Sequence, residues 1–93
     1  MLVRFSALRC KEVINLSDGV RLGYVSDLEL EAESGRIFSL VVPCPGKFFG
    51  LFGSTADYVI PWPCIRRIGD DLILVEAALN ECRRSREKHP GFR

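Results

Sequence analysis

No run of about eighteen apolar residues occurs in this chain, so no helix is expected to cross a membrane. The opening Met1-Leu2-Val3-Arg4-Phe5 lacks the apolar core of a secretory signal, and the expected location is the cytoplasm. There is one histidine, His89, beside Pro90 near the end of the chain, which argues against a Cys/His or Ser/His pair. The four cysteines, Cys10, Cys44, Cys64 and Cys82, include no C-x-x-C pair. They read as scattered thiols, reduced in the cytoplasm, and no metal and no cofactor is expected. Gly46-Lys47 is no phosphate-binding loop, because Phe48 stands where Ser or Thr belongs and no glycine precedes at the required spacing. A net charge of +1 supplies no field that would draw the whole chain to nucleic acid or an acidic surface. The chain also has no internal repeat and no low-complexity stretch.

What remains is strand signal. Leu22, Tyr24, Leu28, Leu30 and Ala32 share one parity, while Val25, Asp27, Glu29 and Glu31 share the other. That period of two predicts a half-buried strand from Leu22 to Ala32. Gly35 suits the turn that follows. Ile37 to Val42 is apolar on both parities and reads as a second strand buried on both sides. Together they predict a central hairpin that needs further sheet around it.

The flanks fill in that sheet. Ser6 to Arg9 reads as one helical turn with Ser6 a candidate N-cap. Glu12 to Leu16 is a first strand, so the opening strands are expected as an antiparallel meander. Pro43-Cys44-Pro45-Gly46 stops the third strand. Asp57 to Ile60, Cys64 to Ile68 and Leu72 to Val75 complete about six strands, with Pro61-Trp62-Pro63 and Gly69-Asp70-Asp71 between them. Glu76 to Lys88 is the one longer helix candidate. At 93 residues this makes one small all-β domain of mainly antiparallel strands, a barrel or sandwich, with a short C-terminal helix or disordered basic tail.

Several strings resemble the PRC-barrel domain, and within it the YlmC/YmxH-type sporulation family. They are Arg4-Phe5-Ser6, Lys11-Glu12-Val13-Ile14-Asn15, Asp18-Gly19-x-Arg21-Leu22-Gly23-Tyr24-Val25-Ser26-Asp27-Leu28, Pro45 to Gly53, Tyr58 to Trp62, and Ile68-Gly69-x-Asp71-x-Ile73-Leu74-Val75. The resemblance spans about residues 4 to 76. It implies a PRC-barrel domain over residues 1–76 and a basic tail, helical or disordered, over residues 77–93. It implies a six-stranded β-barrel, sometimes dimeric, acting as an adaptor rather than an enzyme. No catalytic residue carries over. By analogy with a ribosome maturation factor of the wider superfamily, an RNA- or ribosome-associated accessory role is the alternative.

Three sets of residues are candidates for contact with partners. Phe48, Phe49, Leu51 and Phe52 interleave with Gly50 and Gly53 in a loop, with Trp62 a further aromatic between prolines. Such a loop either plugs one end of the barrel, makes a homodimer contact or anchors a protein partner. A Trp between prolines after a strand is more often a half-buried corner, and that is the first reading of Trp62. Asp27, Glu29 and Glu31 are expected on one strand face, a solvated ridge or an acidic stripe for a basic partner. In the tail Arg83, Arg84, Arg86, Lys88 and Arg93 stand against Glu87 alone, a solvated end or a weakly supported nucleic-acid contact.

Overall fold

The computed structural model describes residues 2–44 and 56–85. One helical turn, α1 (Phe5–Leu8), is followed by β1 (Glu12–Asn15), β2 (Arg21–Tyr24), β3 (Asp27–Glu31), β4 (Arg36–Pro43) and β5 (Ala56–Pro61). A 3-10 turn, Trp62–Cys64, leads to β6 (Ile65–Ile68) and β7 (Leu72–Val75). A second helical turn, α2 (Leu79–Cys82), precedes β8 (Arg83–Ser85). The strands form two four-stranded sheets, in the orders β2-β1-β7-β6 and β3-β4-β5-β8. All neighbours are antiparallel except β1 and β7, which run parallel.

The mostly-β expectation holds, but its count and closure do not. Among the described residues there are eight strands rather than six, in two open sheets with no ladder closing them into a barrel. The long strand predicted from Leu22 to Ala32 breaks in the middle. Gly23 takes φ +106°, a conformation that residues with a Cβ rarely adopt, and Val25 turns inward to 2% exposure. Ser26 then donates its N–H to the Val41 carbonyl at 2.8 Å, committing the chain to the other sheet. The expected meander is therefore β1 against β2, followed by a crossing.

The second departure is at the C-terminal end. The helix expected over Glu76 to Lys88 is the single turn α2, and β8 follows it. The Glu76 N–H goes to the Cys64 carbonyl at 2.9 Å. The side chain of Asn15 takes both backbone groups of Ala77, accepting from its N–H and donating to its carbonyl, each at 3.0 Å. Those bonds hold the segment extended where a helix would begin. At the other end α1 starts after Arg4 with no side-chain cap, so Ser6 is not its N-cap.

The core lies between the inner faces of the two sheets. Val13 and Ile73 sit side by side on β1 and β7, and Leu40 and Ile60 on β4 and β5, all fully buried. Val42 and Val75 are equally enclosed, with Leu8, Leu22, Val25 and Ala77 around them. Each such aliphatic chain contributes about 1.5–3 kcal/mol by leaving water. No part of this core asks for a helix layer.

Candidate functional site

Proline sets the site. β5 ends at Pro61, which has no N–H to continue a ladder, and the chain turns into Trp62–Cys64. Pro61 is opposite Ser39, so β4 residues before Ser39 have no neighbour on the β5 side. The hairpin of β3 and β4 therefore overhangs its sheet. Gly35, at φ +77°, closes its tip, with its N–H bound to the Glu31 carbonyl at 2.8 Å. A β-bulge after Glu29 shifts the pairing, so that Leu30 faces Ile37 and Glu31 faces Arg36.

The overhang exposes apolar surface. Phe38 shares the parity of the buried Leu40 and Val42, yet it is 67% exposed because the sheet no longer covers it. Leu30, expected on the core face, is 55% exposed beyond the bulge. Between the hairpin and the turn after β5 runs an open groove of about 830 Å³. Ile37, Phe38, Pro61, Trp62 and Pro63 line it, with Glu31 and Arg36 at its rim. Trp62 is half-buried and packs one side on the core, so it is held in place by the fold. A rigid aromatic wall, an exposed phenylalanine and two opposite charges can bind an apolar protein surface.

The other candidates fall differently. Phe48, Phe49, Leu51 and Phe52 lie outside the described residues, as do Arg86 and Lys88. The three carboxylates of β3 are each engaged within the chain. Asp27 accepts the Leu28 N–H at 2.8 Å, and Glu31 accepts the Ser34 hydroxyl at 2.6 Å. Glu29 accepts the Ser39 hydroxyl at 2.6 Å and the Arg84 guanidinium at 2.9 Å. These bonds hold the Glu29 carboxyl below its ordinary range, the Ser39 hydroxyl foremost, with burial opposing. Arg84 thus ties β8 to β3, the two edge strands of its sheet, and Arg83 stands beside Cys44.

Cysteine chemistry is muted. Cys10 is exposed, Cys44 is buried, and Cys64 and Cys82 are partly buried against the core. Burial raises the pKa of the Cys44 and Cys82 thiols, which keeps both protonated. Among the described residues no three His, Cys, Asp or Glu side chains gather in metal-binding geometry. Likewise, no described helix is long and apolar enough to cross a membrane.

Sequence reasoning named Trp62 but missed Phe38, Ile37 and Leu30. The usable signal was a mismatch of lengths. Pro61 ends β5 while the preceding hairpin runs on to Gly35, and the excess length has to overhang.

Known proteins bear on this arrangement. The chain matches the PRC-barrel domain over residues 2–78. It is 36% identical over 74 residues to the probable sporulation protein YlmC of Bacillus subtilis (strain 168), covering 80% of this chain and 91% of that protein. It is 36% identical over 76 residues to the uncharacterised protein YmxH of the same organism, covering 80% and 88%. An uncharacterised protein of Clostridium acetobutylicum matches at 36% over 70 residues, covering 75% and 79%. With the two-sheet scaffold and a match over nearly all of the described strands, the chain belongs to the PRC-barrel domain family.

Proposed function

We propose that this protein is a non-enzymatic interaction module of the cytoplasm that serves sporulation by holding a protein partner and that also associates with itself. The observation that carries this reading is the apolar groove between the overhanging hairpin and Trp62. A phenylalanine 67% exposed on a two-stranded overhang adds nothing to the core, and its burial by another protein would recover the hydrophobic free energy it forgoes. Likeness to a probable sporulation protein supplies the cellular setting. The alternative, an RNA- or ribosome-associated role, draws on the basic tail. Arg84 of that tail is already engaged with Glu29, which weakens it as a phosphate contact.

The test is a photo-crosslinking amino acid at Phe38 in sporulating cells, with the same group at Leu16, exposed and outside the groove lining, as the control. A discrete crosslinked protein species at position 38 and none at position 16 is expected. Equal labelling at both positions, or none at either, would refute the groove as a docking site.

A further inference from the structure

Resting on the reading of the groove as a protein-docking site, we propose that it is filled by a second copy of this chain across a two-fold axis, with Glu31 of one copy against the partner's Arg36. The rim charges are the first argument. Glu31 and Arg36 stand opposite each other in register at the end of the hairpin, yet neither neutralises the other. The Glu31 carboxylate takes the Ser34 hydroxyl at 2.6 Å, and Arg36 makes no ion pair among the described residues. Adjacent opposite charges are self-complementary. A two-fold axis passing between them sets each against its opposite on the other copy, twice per dimer.

The apolar part is also suited to a like surface. Phe38 projects from the overhang into the groove that Trp62, Pro61 and Pro63 wall, and Leu30 is exposed beside it, outside the groove lining. A two-fold carries the Phe38 of each copy toward the other's wall. The net charge of +1 per chain sets up little repulsion between copies.

The chain outside the described residues leaves the fold at the end of the second sheet away from the groove. Residues 45–55 and 86–93 both depart from the far end of the second sheet, where the Cys44 N–H meets the Ala56 carbonyl and Ser85 pairs with Ala56. Ile37 lies six residues along β4 from Pro43, about 20 Å at strand rise. Residues 45–55 are tethered at both ends, and their midpoint covers about 20 Å only at full extension, whereas the eight residues 86–93 have one free end and an extended length of about 26–29 Å, so the tail is the competing occupant and a monomeric wild type its signature.

The test is the solution mass of the full chain by light scattering over a dilution series, for wild type, Glu31→Arg, Arg36→Glu and an equimolar mixture of the two variants. Both positions are exposed, and far-UV circular dichroism confirms that each variant folds. The wild type is expected to be a dimer. Each variant alone should weaken dimerisation by roughly tenfold or more, because the symmetry repeats the like-charge contact. The mixture should return to within about threefold of wild type, since each altered charge then meets its opposite. A monomeric wild type, a dimer indifferent to both substitutions, or a mixture that fails to recover would each overturn the proposal. A monomeric wild type with a crosslink from position 38 to a different polypeptide would sink the dimer and leave the interaction module standing. A monomer with no crosslink would remove both.

Discussion

Asn15 is the test of how the segment that leaves the first sheet after β7 is held. Its side chain is fully buried, and both of its amide atoms are spent on the backbone of Ala77. Asn15→Ala removes both bonds and leaves an N–H and a C=O enclosed without partners, since Ala77 is itself only 8% exposed. A buried group stranded in this way costs about 1–3 kcal/mol. Water entering the small space left by the amide recovers part of that, so the expected loss is about 2–4 kcal/mol. Against a stability of roughly 5–15 kcal/mol for a domain of this kind, that is a large fraction. Asn15→Asp sharpens the reasoning. Its carboxyl accepts from the Ala77 N–H, but once ionised it faces the Ala77 carbonyl oxygen with no proton to donate. Burial and that oxygen raise the folded-state pKa of the new acid above its unfolded value near ~3.9. The folded state then binds the extra proton, so the variant comes closest to wild type at low pH. It falls further behind as pH rises through the folded pKa. Urea unfolding followed by Trp62 fluorescence, from acid to neutral pH, reads both effects as differences from wild type. An Asn15→Ala loss below about 0.5 kcal/mol, or an Asn15→Asp deficit that does not change with pH, would refute the account of the clamp.

Gly23→Ala should cost about 1–3 kcal/mol, visible as a lower urea midpoint, because φ is +106° there although no atom lies within 4 Å of the added Cβ. Glu29→Gln should lose under about 1 kcal/mol at neutral pH, the pair with Arg84 being largely exposed. The folded pKa of Glu29 is lowered, so its contribution is full above the unfolded value near ~4.3 and disappears as pH falls through the folded one; the gap between wild type and variant should therefore close in acid. A chain ending at Ala78 should still fold, with a loss of about 1–2 kcal/mol from the packing of Leu79 and Cys82, and should associate at lower concentration because the edge of β5 is uncovered; light scattering and urea unfolding measure the two effects.

Much of the strand content was legible because it rests on short-range pattern. Glu12 to Asn15 and Leu72 to Val75 are strands as read, and each buries alternate residues. The long strand failed because alternation does not register a change of sheet. Leu22 is buried and Tyr24, on the same parity, is 54% exposed, since Gly23 and Val25 reset the phase between them. The tail failed for a tertiary reason. Ala77-Ala78-Leu79 favours helix locally, but Asn15, sixty-two residues away in sequence, claims the backbone of Ala77. Helix propensities of a few tenths of a kcal/mol per residue lose to two buried hydrogen bonds. The groove was hidden for a related reason. Phe38 has the parity of a core residue, but the β3–β4 register skips it at the bulge and its neighbour strand ends early, and neither shows in the pattern.

The two ends of the β4–β5 pair meet the problem of open sheet edges in opposite ways. At the Ala56 end, β8 adds a strand to β5 through three register pairs, and Arg84 fastens it to Glu29 across the sheet. β8 lies beyond the residues 2–78 that match the family. At the Pro61 end no strand is added among the described residues, and the strand stops at a residue that cannot donate. One consequence is that β5 supplies no partner for β4 before Ser39, and beside that short edge the groove offers side chain: Phe38, Trp62 and two charges. Recognition at such a place depends on shape and charge rather than on strand pairing. That is why substitutions at Glu31 and Arg36, and not backbone edges, discriminate among its possible occupants.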